Sequence, residues 1–202
     1  MEKFRGVDYY GIEEHLSDEQ RMIRDTVRDW VESRFLPLVT EHHRHATFPV
    51  ELASELGEMG VFGATLKGYG CLGLDNIAYG LIMQELERGD SGLRSFASVQ
   101  SGLVMYPIYA YGSDAQKDRW LPALQSGAAL GCFGLTEPDH GSDPGGMKTR
   151  AVKKGAEYVL NGTKLWITNG SVAEVAVVWA KGDDGEIGGY PVERGAAGFG
   201  PL

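Results

Sequence analysis

A chain of 202 residues, 43% of them hydrophobic, is long enough to bury one sizeable core or two smaller ones. Nineteen basic against 28 acidic residues leave a net charge of −9, which argues against the basic patches that nucleic-acid binding favours. Two cysteines, Cys71 and Cys132, do not suggest a secreted disulfide scaffold; both read as reduced thiols, and Cys132 as a small buried apolar residue. Residues 1–14 mix charges and lack both the apolar stretch of a secretory signal and the Arg-rich, acid-poor character of an organellar transit peptide. No membrane span is visible, so the expected setting is cytoplasmic, or an organelle for a mature imported chain.

The first part predicts helices. Ser17-Asp18-Glu19-Gln20 is a capping box, followed at helical spacing by Ile23, Val27, Trp30 and Val31. Pro37 is expected to end or kink this helix. A second helix restarts at Thr47-Phe48-Pro49, with Leu52, Leu56 and Met59 on its apolar face and Gly57 and Gly60 at its end. Residues 68–73 form a turn-rich loop. Asp75 caps a third helix with Ala78, Ile82 and Leu86 on one face, interrupted at Gly89-Asp90-Ser91. A fourth helix, residues 91–111, is rich in small residues, which let a second backbone or a ligand approach closely. Ser113-Asp114-Ala115-Gln116 is another capping box, for a helix with Trp120, Leu121 and Leu124 on its apolar side.

After Gly127 short apolar runs alternate with turn residues. Strands are expected at residues 130–135, 148–154, 158–160, 164–168 and 175–180, with Asn161-Gly162 as a hairpin turn and Gly182-Asp183-Asp184-Gly185 joining the next pair. The expected architecture is α+β: a helical domain over residues 1–127, then a partial antiparallel β-domain over residues 128–202. The Gly-rich end, residues 195–202, would leave sheet edges unpaired, so truncation is expected.

Four groups of residues could serve chemistry. Phe133, Leu135 and Thr136 lead from a strand into a loop through Gly141 and Ser142, whose backbone N–H groups could meet a phosphate; a polar connection is the commoner meaning of such a loop. Trp166, Thr168, Asn169 and Gly170 could offer an aromatic face and hydroxyl to a flat ring, though a core Trp before a turn fits equally. Arg94, in a helix of small and apolar residues, could hold a carboxylate or phosphate; its plainer roles are snorkelling to solvent or pairing with Glu87. Of His42, His43 and His45 near Glu41, the adjacent histidines do not share a helical face, and no cysteine or carboxylate set completes a metal site, so a solvated surface and no metal are expected. No phosphate-binding P-loop, G-x-G-x-x-G after a strand, G-x-S-x-G or C-x-x-C occurs.

Two segments in this order, Gly131-Cys132-Phe133-Gly134-Leu135-Thr136-Glu137-Pro138 and Trp166-Ile167-Thr168-Asn169, following a helical domain, resemble the acyl-CoA dehydrogenase family over essentially the whole chain. Residues 66–71, 85–95 and 98–101, the last reading Ser98-Val99-Gln100-Ser101, are similar to the glutaryl-CoA dehydrogenase pattern. That resemblance implies FAD as cofactor and oxidation of an acyl-CoA, glutaryl-CoA favoured, at Cα–Cβ with release of CO₂ to give crotonyl-CoA. It implies that Phe133, Leu135, Thr136, Gly141, Ser142, Trp166, Thr168, Asn169 and Gly170 meet the cofactor. It implies that Arg94 holds the distal substrate carboxylate, with Ser95, Ser98 and Ser142 also near substrate. His140 stands where the family varies and receives no role.

Family members continue into a C-terminal helical bundle that brings the Glu general base and much of a homotetramer interface; no such bundle lies within these residues, so no catalytic residue is assigned. The complete enzyme is expected to pass electrons to an electron-transfer flavoprotein, in the bacterial cytoplasm or the mitochondrial matrix. The alternative is a non-catalytic fragment that binds flavin or acyl-CoA, or associates with a longer chain; the reading frame beyond Leu202 discriminates the two. An oxidase that reoxidises flavin with oxygen, and an enzyme that omits decarboxylation, share the same pattern.

Overall fold

The computed structural model describes residues 8–200. Residues 1–7 of the charged start, and Pro201 and Leu202, lie outside them. In chain order the elements are α1 (Asp18–Trp30), α2 (Leu36–His45), α3 (Ala53–Glu58), the short β1 (Lys67–Gly68) and β2 (Cys71–Leu72), α4 (Asn76–Gly89), α5 (Ser91–Ser98), α6 (Tyr106–Tyr111), α7 (Asp114–Gln125), β3 (Gly131–Gly134), β4 (Arg150–Lys154), β5 (Glu157–Asn161), β6 (Val175–Lys181) and β7 (Ile187–Glu193). They form two compact units, Met1–Pro49 with Leu74–Arg94, and Val50–Gly73 with Ser95–Leu202.

In the first unit, α1 and α4 pack on each other. Their start signals behave as the sequence predicts. The Ser17 hydroxyl accepts from the Gln20 N–H while the Gln20 side chain accepts from the Ser17 N–H, and Asp75 accepts from the Ala78 N–H at 2.7 Å. Val27, Trp30, Val31, Phe35, Ala78, Ile82 and Leu86 are buried. Glu85, fully buried, accepts from Arg28 (2.7 and 2.9 Å) and Arg88 (2.7 Å). Burial pushes the Glu85 carboxyl up, but the two guanidinium groups outweigh it and hold the group below the usual range.

Pro37 does not end the helix. A π-helical turn, Val31–Phe35, runs from α1 into α2, and Pro37 sits in the first turn of α2. The same arrangement recurs in the second unit, where a π-helical stretch, Val99–Met105, precedes α6 and Pro107. Proline lacks an N–H and collides with the carbonyl four residues back; a widened turn just before it relieves both problems without breaking the helix. Residues 91–111 are thus helical throughout, though not α-helical throughout.

In the second unit Phe62 and Phe96 meet edge to face at 5.9 Å, and α7 starts on the expected capping box at Ser113. The β region forms a five-stranded sheet, and here the expected antiparallel arrangement is corrected. β4–β5 and β6–β7 are antiparallel, but β3 runs parallel to β6 over four residue pairs, and β4 meets β6 in parallel at Arg150 and Lys181. The chain between β3 and β6 is long enough to return in the same direction, as a parallel pair requires.

Two further expectations fail in that stretch. Residues 164–168 form no strand, and Asn161-Gly162 makes no hairpin turn. The hairpin lies instead between Lys154 and Glu157, with Gly155 left-handed at φ 63°. Neither Asn161 nor Gly162 has the positive φ that the Asn-Gly hairpin turn needs. Gly162 serves another purpose: a Cβ there would overlap Thr149.

Candidate functional site

In the second unit three stretches distant in sequence line one cleft of about 250 Å³. The π-helical stretch brings Val99 and Leu103, β3 and its exit bring Phe133, Leu135 and Thr136, and the turn before β6 brings Trp166, Ile167 and Thr168. Alternation along β3 turns Cys132 into the core while Phe133 faces the cleft side and rests on Trp179, ring centres 5.7 Å apart. Ile167 packs on the core cluster of Cys132, Ala173, Ala176 and Val178, which seats the third wall on the sheet.

Trp166 is the unusual residue. Its backbone is left-handed at φ 56° and its side chain is 86% exposed. For a bulky L-residue that conformation costs roughly 1–2 kcal/mol, and no core packing offsets it. The side chain stands on the rim of the cleft as an open aromatic face. The residues before it are held by Glu137. Its carboxylate accepts from the Lys148 N–H (2.6 Å), the Thr149 N–H (2.9 Å), the Thr149 hydroxyl and the Lys164 ammonium (2.9 Å). Lys164 also donates to the Leu135 carbonyl, and the Leu165 N–H to the Thr136 carbonyl at 2.9 Å. Lys164 and Leu165 are thereby tied to the chain segment 135–137. Burial pushes Glu137 up, but the four donors, the Thr149 hydroxyl first, hold its carboxyl at about 2.

Of the residues singled out in the sequence, Phe133, Leu135, Thr136, Trp166 and Thr168 come together in this cleft. Asn169 and Gly170 continue the turn behind it, and the Asn169 amide points inward to the Gly131 carbonyl at 3.2 Å. Gly141 and Ser142 are exposed in the loop after Pro138, outside the cleft lining. Ser98 donates to the Ser95 carbonyl at 3.2 Å. Arg94 belongs to the first unit and donates to Glu87 at 2.7 Å, so the pair considered from the sequence does form. His42 bonds Thr47 and His45 lies 3.6 Å from Glu41; among the described residues no cluster could hold a metal. Both cysteines are free, and burial pushes their thiols up to about 11. Val99, Leu103 and Ile167 were missed by sequence reasoning; the four-residue spacing of Val99 and Leu103 beside small residues was the available signal.

Residues 17–128 match the family described as acyl-CoA dehydrogenase, N-terminal domain, and residues 132–201 match acyl-CoA dehydrogenase, middle domain. The chain belongs to the acyl-CoA dehydrogenase family. A glutaryl-CoA dehydrogenase from Mycobacterium smegmatis, solved in complex with FADH2, superposes with a TM-score of 0.93 at 52% identity, over 95% of this chain and 49% of that one. A chain in the structure of the electron transferring flavoprotein of Acidaminococcus fermentans superposes with a TM-score of 0.84 at 34% identity, over 94% of this chain and 50% of that one. A probable acyl-CoA dehydrogenase of Bacillus subtilis (strain 168) is 40% identical over 177 residues, 85% of this chain and 46% of the relative. The chain thus spans about half the length of the relatives it matches.

Within the acyl-CoA dehydrogenase frame the cleft draws on both matched stretches: Val99 and Leu103 from the N-terminal domain, the other six residues from the middle domain. Its lining combines apolar walls, one open indole and two threonines, Thr136 and Thr168. At about 250 Å³ it is smaller than the ~300–1,000 Å³ typical of whole-ligand pockets. No carboxylate lines it.

Proposed function

We propose that this cleft receives the flavin ring of FAD in an acyl-CoA dehydrogenase acting on glutaryl-CoA or a closely similar acyl-CoA. The observation that carries the reading is Trp166, an exposed indole held in a costly left-handed conformation on the cleft's turn wall, beside Thr168. Apolar walls cover the faces of a flat ring, and the Thr136 and Thr168 hydroxyls offer hydrogen bonds to its polar edge. When bound, FAD supplies the two-electron acceptor for acyl-chain oxidation; the protein's share is binding, orientation and exclusion of water. Gly170, Gly141 and Ser142 complete the proposed cofactor contacts from the adjoining turn and loop, joined by Asn169 through its backbone, since its side-chain amide is turned to the Gly131 carbonyl. Arg94 is proposed to hold the distal carboxylate of the substrate, with Ser95, Ser98 and Ser142 also near it. The 52% identity to a glutaryl-CoA dehydrogenase solved with FADH2 supports both cofactor and substrate class.

The reading includes a helical domain over residues 1–127 and a β-domain over residues 128–202, supported by the end of α7 at Gln125 and the start of β3 at Gly131. It also includes an electron-transfer flavoprotein as acceptor, a homotetrameric assembly, and a bacterial cytoplasmic or mitochondrial matrix setting. None of the helices among the described residues is long and apolar enough to cross a membrane.

A second reading, a flavin- or acyl-CoA-binding unit without catalysis of its own, is favoured by one observation: among the described residues no carboxylate lines the cleft. The test of the cleft is titration of FAD into the protein, followed by flavin absorbance. Trp166→Ala and Thr136→Ala are each expected to weaken retention or shift the band. Occupancy and spectrum unchanged in both variants would refute the site.

A further inference from the structure

All three walls of the cleft are tied to one residue. Gly131, the first residue of β3, donates its N–H to the Gln100 side-chain oxygen at 2.8 Å and accepts from the Asn169 side-chain amide at 3.2 Å. Gln100 follows Val99 on the helical wall, Asn169 follows Thr168 on the turn wall, and Gly131 opens the strand that leads to Phe133, Leu135 and Thr136. The Gln100 amide is completely buried and fully used, its nitrogen donating to the Leu124 and Ala129 carbonyls at 2.9 Å each. Asn169 is itself left-handed, φ 67°, and its nitrogen also reaches the Phe96 carbonyl at 3.5 Å. A Cβ at position 131 would overlap Val104, so the helix approaches this residue as closely as a glycine permits.

We infer that Gln100 and Asn169 are positioning residues: two side-chain amides that bind the N–H and the C=O of Gly131, one in each of the peptide groups flanking its Cα, and thereby set the spacing of the three cleft walls. Neither lines the cleft, so they act through the residues beside them. The physical reason is economy of partners. An amide can donate and accept at once, and the buried Gln100 amide, bonded at both ends, holds one geometry because any shift leaves a buried carbonyl or N–H unpaired; the half-buried Asn169 adds its donor to the carbonyl of the same residue. The clamp rests on the flavin reading only for its consequence, the fit of a ring between the walls; the geometry itself stands apart from it.

Asn169→Asp tests the clamp, because it keeps the shape and replaces a donor by a carboxylate facing two carbonyls. Amide hydrogen exchange of the 202-residue chain at neutral pH is expected to rise at least tenfold at residues 165–172 while α1 keeps its protection. After correction for intrinsic exchange, protection should return as pH falls and the carboxyl regains a proton to donate. Asn169→Ala should not recover, and that pH response separates the clamp from a general loss of stability. Gln100→Glu should loosen residues 128–134 in the same way; if that buried variant does not fold, Asn169→Asp still decides. FAD affinity, measured in parallel, should fall at least tenfold in Asn169→Asp. Unchanged exchange at residues 165–172 in that variant overturns the clamp whether or not FAD binds. Absence of saturable FAD binding to the unaltered chain counts against the flavin reading alone, since exchange still judges the clamp.

Discussion

Arg94 donates from Nε to a Glu87 carboxylate oxygen at 2.7 Å, across the break at Asp90 that separates α4 from α5. The other Glu87 oxygen accepts from the Ser91 hydroxyl at 2.6 Å, and these two bonds, Ser91 first, lower the Glu87 carboxyl below its usual range. The pair fixes where the guanidinium stands, which a recognition cation needs. If Arg94 holds the distal carboxylate, Arg94→Ala in an active protein carrying this chain should lower kcat/KM for glutaryl-CoA by about 2 kcal/mol. That is the lower end of the 2–5 kcal/mol for unpairing a buried charge, because Arg94 is 39% exposed. Butyryl-CoA, which lacks the carboxylate, should lose much less. Equal losses on the two substrates would remove the assignment.

Trp166 should trade stability against binding. Trp166→Gly removes the left-handed strain of roughly 1–2 kcal/mol and adds chain entropy worth roughly 0.4–1 kcal/mol to the unfolded state. The side chain is 86% exposed, so little packing is lost. Denaturant unfolding should therefore show unchanged or slightly increased stability, together with weaker FAD binding. A loss of more than about 2 kcal/mol would mean that the indole is a structural residue after all.

Glu137 should make the β region acid-sensitive. Its carboxyl lies at about 2 when folded against 4.5 for the free group. A depressed folded value gives stability that is complete above the unfolded value and is lost as pH falls from about 5 toward 2; the shift corresponds to about 3 kcal/mol. Glu137→Gln should flatten that part of the pH–stability curve, read by urea midpoints between pH 2 and 7. A variant curve parallel to that of the unaltered chain would show that the four donors do not depend on the charge.

The Arg28–Glu85–Arg88 cluster should matter for folding of the first unit. Glu85→Ala leaves two guanidinium groups around an apolar gap, and removal of one member of a buried ion pair costs about 3–5 kcal/mol. Arg28 and Arg88 are 27% and 34% exposed, so the lower figure is expected. Calorimetry would check it; a loss under about 1 kcal/mol would mean that water already screens the cluster.

The 202-residue chain alone should not oxidise an acyl-CoA at a useful rate. The α proton of a thioester is a weak acid, general-base catalysis contributes about 10²–10⁴-fold, and the cleft lining has no carboxylate. Anaerobic mixing of chain, FAD and glutaryl-CoA should leave the flavin band in place. Rapid stoichiometric bleaching would require a base within these residues.

The sequence by itself determined the helices and the family. Ser17, Asp75 and Ser113 start their helices as expected because a cap is closed by partners three residues away. The segments 131–138 and 166–169 were likewise legible as a family signature, and five of the residues chosen from them, Phe133, Leu135, Thr136, Trp166 and Thr168, line the cleft. The tertiary structure decided the rest. Residues 164–168 have a strand-like pattern, yet Leu165 and Lys164 bond to Thr136, Leu135 and Glu137, and Asn161-Gly162 is diverted from a hairpin by its packing on Thr149. Gln100 looked like one polar residue in a helix of small ones; only the fold sets its amide on a glycine 31 positions away, with Asn169 on the same residue from 38 positions away. Caps and apolar periodicity are settled within one or two turns of chain. A wall spacing depends on which distant polar groups find each other once water is excluded, and no local pattern encodes that.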